Sequence, residues 1–302
     1  AFPAVVTAGV PWVRIVSCNP LERPDPDLPP ALSGLPTGDR SQWEAWHAEY
    51  WATVGPLHAT LDAFCREQGA PPLPPREFIW ESPWLNLYLY PAGLDYQRSR
   101  PLAPTWHRID SSVRDTEPPF ELPEHLRDPR PLLYVSLGSL GSAEPDLMGR
   151  LVDLLGRTDY RGIVSLGPQK GRLTLPENVW GDEYLPQPSL LPLVDAVITH
   201  GGNNTTTECM HFGKPMLVLP LFWDQHDNAQ RVQECGFGYR FHPYRFSDDD
   251  SFRALRDLLT DEERKGRLAA ASARIQAADG RRRAARLIAE LARTEQPVLR
   301  TD

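Results

Sequence analysis

The sequence has 302 residues, enough for two domains that each bury a core. Its 41% hydrophobic and 24% charged residues are typical of a globular protein, and its net charge of −8 argues against a nucleic-acid partner. No apolar run reaches the roughly 18 residues of a membrane span, and scattered cysteines predict a reduced, cytoplasmic protein without disulfides: Cys18, Cys65, Cys209 and Cys235.

The first part of the chain combines predicted strands with one long aromatic helix. Apolar or alternating runs predict strands over residues 12–17, 84–90 and 106–109. The helix begins near Ser41, and Gly55-Pro56 should kink or split it. Its aromatic stripe is typical of core packing, with the lining of an apolar pocket as the functional alternative: Trp43, Trp46 and Trp51.

A polar, proline-punctuated segment from Ser111 to Pro131 predicts an interdomain linker. We therefore expect a first domain over residues 1–115, a linker over 116–130 and a second domain over 131–302. Three predicted helices at the C-terminus, over residues 248–260, 261–277 and 281–293, belong to that second domain.

The second domain opens with a strand over residues 131–136 that runs into a turn of small residues, Leu137-Gly-Ser-Leu-Gly-Ser142. This turn is not Gly-x-Gly-x-x-Gly and has no acidic residue in the expected register, so a nicotinamide cofactor is disfavoured. It also lacks the Gly-Lys-Ser/Thr of a Walker loop. Further strands are predicted over residues 161–166 and 179–185.

The stretch from Tyr184 to Gln225 is the most informative part of the sequence. A β-branched apolar run over residues 193–199 predicts a buried parallel strand, broken by His200-Gly201-Gly202. Small polar residues then open a helix near 203–207, and residues 214–220 predict a second buried strand. Strand, glycine turn, helix and strand form half of a doubly wound sheet, whose ligand site lies beyond the carboxyl ends of the strands.

The residue types at that edge predict a site for a phosphorylated sugar. Free N–H groups at a helix start attract phosphate, and Gly201 and Gly202 let the backbone approach a ligand closely. His200 can donate a hydrogen bond to a phosphate oxygen. The carboxylate of Glu208, one turn into the helix, suits paired ribose hydroxyls, and Asp224 and Gln225 suit the hydroxyls of a sugar.

A metal site is the alternative to this interpretation, because several possible ligands occur close together in sequence. Cys209-x-His211 does not form a facing pair on a helix, and no Cys-x-x-Cys motif exists. The pattern therefore predicts no metal. The residues considered were Glu208, Cys209, His211, His226 and Cys235.

The spaced pattern [WY]-x-P-Q, T-H-x-G-x-N-[ST]-T-x-E, G-x-P and P-x-x-x-D-Q resembles the nucleotide-binding signature of family 1 UDP-glycosyltransferases. The match covers about forty residues in order and spacing. The resemblance implies an α/β protein of the GT-B type, with two Rossmann-like domains. Because a complete enzyme of this type would begin upstream of a helix-to-strand step such as residues 1–17, we expect the first domain to be incomplete in this chain.

The resemblance also implies individual roles for the residues of the signature. Tyr184 replaces the usual base-stacking Trp, and Gln187 reaches the uracil or the ribose. The diphosphate is held by one group of residues, Glu208 binds the ribose, and Asp224 and Gln225 bind the transferred sugar. The implied diphosphate group consists of Ser139, His200, Gly202, Asn204 and Thr205.

The implied activity is inverting transfer of a sugar from a UDP-sugar to a hydroxyl group of a small, apolar acceptor, without a cofactor. The family's catalytic base is a histidine in a segment that we expect to lie upstream of residue 1, so a partner segment or chain could complete the first domain. Two alternatives stay open: a non-catalytic nucleotide-sugar-binding subunit, and a nucleotide-sugar 2-epimerase. The Asp224-Gln225 pair argues against the epimerase.

Overall fold

A computed structural model describes residues 2–300. Contacts divide the chain into two compact units, one formed by residues up to 110 together with those from 278 onward, the other by residues 111–277. No helix between residues 2 and 300 has the length and hydrophobicity that crossing a membrane requires.

The first unit contains a small parallel sheet in the order β1-β2-β3, flanked by helices. Every residue of β2 is buried, as expected of the central strand of a parallel sheet. Its elements are α1 (Phe2–Thr7), β1 (Val13–Val16), α2 (Trp43–Glu67), β2 (Leu85–Tyr88), β3 (Trp106–Arg108) and, from the end of the chain, α10 (Gly280–Thr294).

Helix α2 runs through Gly55 and Pro56 without being split. Trp43 is buried in this helix, whereas Trp46 and Trp51 are half-buried. Trp46 stacks on Tyr50 with ring centroids 4.8 Å apart. The stripe thus combines one core residue, Trp43, with two half-buried rings, and the lining of an apolar pocket by Trp46 or Trp51 stays a prediction.

The C-terminal boundary differs from the predicted one, because α10 packs in the first unit and not with the second domain. Leu291 of α10 joins the apolar cluster around Leu85 and Leu87 of β2. The tail that follows is fixed by hydrogen bonds from the Val298 amide to the Trp84 carbonyl (2.9 Å) and from the Arg300 amide to the Pro104 carbonyl (2.8 Å).

The second unit is a six-stranded parallel sheet with helices around it. Its elements are β4 (Leu132–Ser136), α3 (Gly138–Gly141), α4 (Pro145–Gly156), β5 (Arg161–Ser165), β6 (Val179–Asp182), α5 (Gln187–Leu190), β7 (Ala196–Thr199), α6 (Asn203–His211), β8 (Met216–Val218), α7 (Gln225–Glu234), β9 (Gly238–Arg240), α8 (Asp248–Thr260) and α9 (Glu262–Ala278). The core is built from the fully buried strands β4 and β7 and the apolar faces of α4 and α8.

The strand order β6-β5-β4-β7-β8-β9 is that of a doubly wound Rossmann sheet. The order of connection reverses between β4 and β7, where Ser136 pairs with Thr199 at the ends of the two strands. This reversal creates the crevice in which such folds bind ligands, and the turns after β4 and β7 border that crevice.

The predicted linker over 116–130 belongs to the second unit and is tied to it. The guanidinium group of buried Arg161 donates to the carbonyls of Leu126 and Arg130. Just upstream, the Ser111 hydroxyl lies 2.9 Å from His211 Nδ1 at the end of α6. The segment between the sheets is thus anchored along the second unit.

Candidate functional site

His200 lies at the reversal point between two glycines. A Cβ atom at Gly138 would be 2.8 Å from His200 Nε2, and one at Gly202 would be 2.5 Å from the same atom. Gly138 also has a φ of +70°, which favours glycine. Gly202 was predicted to let the backbone approach a ligand, whereas the structure shows that its missing side chain makes room for the imidazole ring.

The His200 ring is neutral at pH 7. Burial lowers the pKa of this imidazole to about 4, although its hydrogen bond with the Ser136 carbonyl acts in the opposite direction. Its Nδ1 atom is 3.4 Å from the Thr199 hydroxyl, which also accepts a hydrogen bond from the Gly201 amide at 3.3 Å. Residues at the ends of β4 and β7 therefore orient the ring.

Helix α6 begins immediately after this ring. The Thr206 amide donates to the Gly202 carbonyl at 3.0 Å, so helical bonding starts there and Thr206 offers no amide to a ligand. The amides of Asn204 and Thr205 precede that bond in the first turn, where the helix dipole is positive. The Asn204 side chain is exposed, whereas Thr205 is buried.

Gln187 and Glu208, predicted to meet the nucleoside, lie in direct contact. Gln187 Nε2 donates to Glu208 Oε2 at 2.6 Å and to the Thr205 hydroxyl at 3.3 Å. Burial raises the pKa of the Glu208 carboxyl, and the Gln187 hydrogen bond and Arg114 partly offset this. Tyr184 precedes this pair with its side chain 69% exposed, so its ring is available for stacking.

The two residues predicted to bind the sugar, at the start of α7, differ in how far they are buried. Asp224 is half-buried at the N-terminus of α7. Gln225 is buried, and its Oε1 atom accepts hydrogen bonds from the amides of Leu221 (2.9 Å) and Phe222 (3.1 Å). Because its carbonyl oxygen holds the loop, Gln225 can meet a ligand only through its amide nitrogen.

One residue of the site was missed by the sequence interpretation. Asn228, fully buried in α7, donates from Nδ2 to the Gly201 carbonyl at 2.9 Å. It ties the turn after β7 to the start of α7. The sequence could have indicated Asn228 through its place in the first turn of α7, three residues after Gln225.

Two further predictions concern Ser139 and the alternative of a metal site. Ser139 is exposed in α3, directly after the turn that contacts His200. Within the described residues, no three His, Cys, Asp or Glu side chains come close enough together to hold a metal ion.

Comparison with known proteins shows similarity to glycosyltransferases. Residues 149–289 match the family described as erythromycin biosynthesis protein CIII-like, C-terminal domain. The matched region covers most of the second unit and somewhat less than half of the chain.

Two curated relatives illustrate the extent of the similarity. The NDP-glycosyltransferase YjiC of Bacillus subtilis (strain 168) is 28% identical over 162 residues, covering 53% of this chain and 41% of that protein. The zeaxanthin glucosyltransferase of Pantoea ananas is 25% identical over 305 residues, covering 96% of this chain and 69% of that protein. This chain thus spans less than half of the Bacillus relative.

Solved structures of glycosyltransferases share the fold. The glycotransferase of kitacinnamycin superposes with a TM-score of 0.73 at 22% identity, covering 96% of this chain and 73% of that one. The calicheamicin glycosyltransferase CalG4 superposes with a TM-score of 0.69 at 22% identity, covering 94% and 68%. Both likenesses identify the architecture as GT-B.

Proposed function

We propose that this chain binds a nucleoside-diphosphate sugar in its second unit and takes part in inverting transfer of the sugar to a hydroxyl group of a small, apolar acceptor. The observation that carries the proposal is the His200 imidazole held between Gly138 and Gly202 at the reversal point of the sheet. A neutral imidazole beside the positive end of a helix can donate a hydrogen bond to a bound diphosphate. The same groups can stabilise the negative charge that grows on the diphosphate as it leaves.

The diphosphate would contact His200 Nε2 and the amides of Asn204 and Thr205. Because these groups are fixed before the ligand arrives, they stabilise leaving-group charge without reorganisation during the reaction. Ser139, exposed on α3, would reach the same phosphates from the other side of the reversal point. No metal ion is required in this proposal, since the fixed dipoles and the imidazole stabilise the negative charge of the diphosphate.

The nucleoside would lie over Gln187 and Glu208. The Glu208 carboxylate, already oriented by Gln187, is suited to accept hydrogen bonds from ribose hydroxyls, and exposed Tyr184 would stack on the base. We propose uridine as the nucleoside. Two structural neighbours are described in complex with dTDP or thymidine diphosphate, the glycosyltransferase VinC and the spinosyn rhamnosyltransferase SpnG, so dTDP is the competing ligand to test.

The transferred sugar would meet Asp224 and the amide group of Gln225 beside the turn at Gly201. A Cβ atom at Gly201 would be 3.2 Å from the Gln225 carbonyl, so the start of α7 adjoins the phosphate-binding turn. An acidic side chain and an amide donor at that position are complementary to neighbouring sugar hydroxyls.

Calorimetry with UDP, dTDP and uridine in EDTA tests the proposal. Replacing His200 by Ala should weaken UDP binding about 10- to 100-fold, because one hydrogen bond to a charged group is lost, and should leave uridine binding unchanged. His242→Ala, at an exposed histidine of another loop of the second unit, is the matched control. Equal losses for uridine and UDP, or binding that appears only with magnesium, would contradict the proposal.

We further propose that the general base comes from a polypeptide segment or chain outside these 302 residues. The proposal rests on the contacts of three other histidines. His58 contacts the carbonyls of Pro74 and Glu77, and His107 contacts the Val298 carbonyl, so their rings serve the first unit. In the second unit, the ring of His211 is bound to Ser111.

Turnover measured on this chain alone should therefore be lower than turnover in the presence of the proposed completing segment or chain by about 10²–10⁴, the usual contribution of a positioned base. Comparable rates would place the base within the chain. Half-buried His47 would then be the first histidine to replace.

A further inference from the structure

The loop between β8 and α7 exposes a large apolar ring from a backbone conformation that disfavours it. Trp223 has a φ of +54°, in the left-handed region, and its side chain is 69% exposed. Bulky residues rarely adopt this conformation, and such outliers concentrate at functional sites. Trp223 therefore stabilises the loop neither by burying its side chain nor by adopting a favourable backbone conformation.

The loop lies against both segments that border the reversal point. A Cβ atom at Gly141, the end of α3, would be 2.7 Å from Leu221 Cδ1. On its other side, the carbonyl of Gln225 faces Gly201 in the turn after His200. Trp223 thus stands at the rim of the candidate sugar site, directly before Asp224.

The conformation of the loop is fixed from within the second unit. Gln225 accepts two amide hydrogen bonds from it, and the imidazole of His226 is hydrogen-bonded to the Leu221 carbonyl. The Phe222 ring meets the Trp223 ring edge-on, with centroids 5.5 Å apart. The backbone that carries the indole is therefore held by hydrogen bonds within the second unit.

A second apolar side chain is exposed on the neighbouring segment. Leu140 of α3, which precedes the glycine that contacts Leu221, is 64% exposed. Exposed apolar side chains on two contacting segments, with the carboxylate of Asp224 on one of them, match the two chemistries of a sugar ring. The ring offers hydroxyl groups along its edge and C–H bonds on a face.

We propose that Trp223 is a specificity-determining residue whose indole stacks on the C–H face of the transferred sugar while Asp224 meets its hydroxyl groups. This inference rests on the proposed function, since it concerns the sugar of the same nucleoside-diphosphate donor. It assigns to the exposed ring a contact that the nucleotide alone does not make.

The experiment compares binding of UDP with UDP-glucose, and of dTDP with dTDP-glucose, by calorimetry on the full chain. Glycine adopts a φ of +54° without strain, so Trp223→Gly removes the ring and keeps the loop. We expect its Kd for the sugar nucleotides to rise about 3- to 10-fold, because the contact between the indole ring and the sugar is lost. The Kd for UDP or dTDP should not change, and the melting temperature should not fall.

Two further variants sharpen the comparison. Trp223→Phe keeps an aromatic face and should recover part of the sugar-nucleotide affinity. Tyr244→Ala removes another exposed aromatic ring, 57% exposed in the loop after β9, and should leave all four affinities unchanged.

Three results would overturn the inference. Unchanged affinities in Trp223→Gly would make the indole a surface ring, and equal losses for UDP and UDP-glucose would make it a support of the loop. Failure of the unaltered chain to bind either nucleoside diphosphate would instead remove the proposed function itself, and this inference with it.

Discussion

The position of the His200 ring depends on two neighbours that have no side chain. At Gly138 the backbone is left-handed and the ring is close, so two separate reasons favour glycine there. At Gly202 the backbone has an ordinary φ of −57°, and only the ring, 2.5 Å from a Cβ position, requires glycine. Gly202 therefore allows the role of the imidazole to be tested without deleting it.

Replacing Gly202 by Ala should displace the His200 ring and weaken UDP binding about tenfold, since one charge-assisted hydrogen bond loses its geometry. The unfolding midpoint should change little because alanine tolerates this backbone conformation. Calorimetry with UDP and urea denaturation provide the two measurements.

Gly171→Ala is the matched control for that variant. Gly171 has a φ of +77° and open space around its Cβ position, so alanine should cost about 1–2 kcal/mol of stability through backbone strain without affecting UDP binding. An unchanged UDP affinity in Gly202→Ala would show that the ring is not held against the ligand.

At the scale of elements, the sequence allowed most of the second unit to be predicted. Helix α8 was predicted with the bounds observed, because Ser247 followed by three aspartates is a strong helix start. Strand β7 and helix α6 followed from an apolar β-branched run and from small polar residues after a glycine turn. These features are local, so one stretch of sequence contains them.

What could not be predicted depends on contacts between distant stretches. The Gln225 side chain turns inward to hold its own loop, and Asn228 reaches back to Gly201 across 27 positions. Gly202, predicted to let the backbone approach a ligand, also accommodates a side chain of its own protein. Sequence spacing brings these residues to one edge but does not decide which partner each contacts.

At the scale of the whole molecule, the last helix changes the division of the chain. The amphipathic pattern of α10 predicts a helix with one buried face, but this pattern does not specify which sheet that face covers. The structure places Leu291 against Leu85 and Leu87 of β2, so the first unit is built from both ends of the chain. The stability of its sheet must then depend on residues about 200 positions away.

Leu291→Ala should therefore lower the stability of the first unit alone, by about 2–5 kcal/mol as for other buried leucines. Hydrogen exchange followed by mass spectrometry should show faster exchange in β2 and β3, with β4 to β9 and UDP affinity unchanged. The matched control is Leu255→Ala, at a fully buried position of α8. It should speed exchange in β4 to β9 and leave β2 and β3 unchanged, because Leu255 belongs to the core of the second unit. Faster exchange in β4 to β9 of the Leu291 variant would show that α10 stabilises the sheet of the second unit, as the sequence-based boundary had predicted.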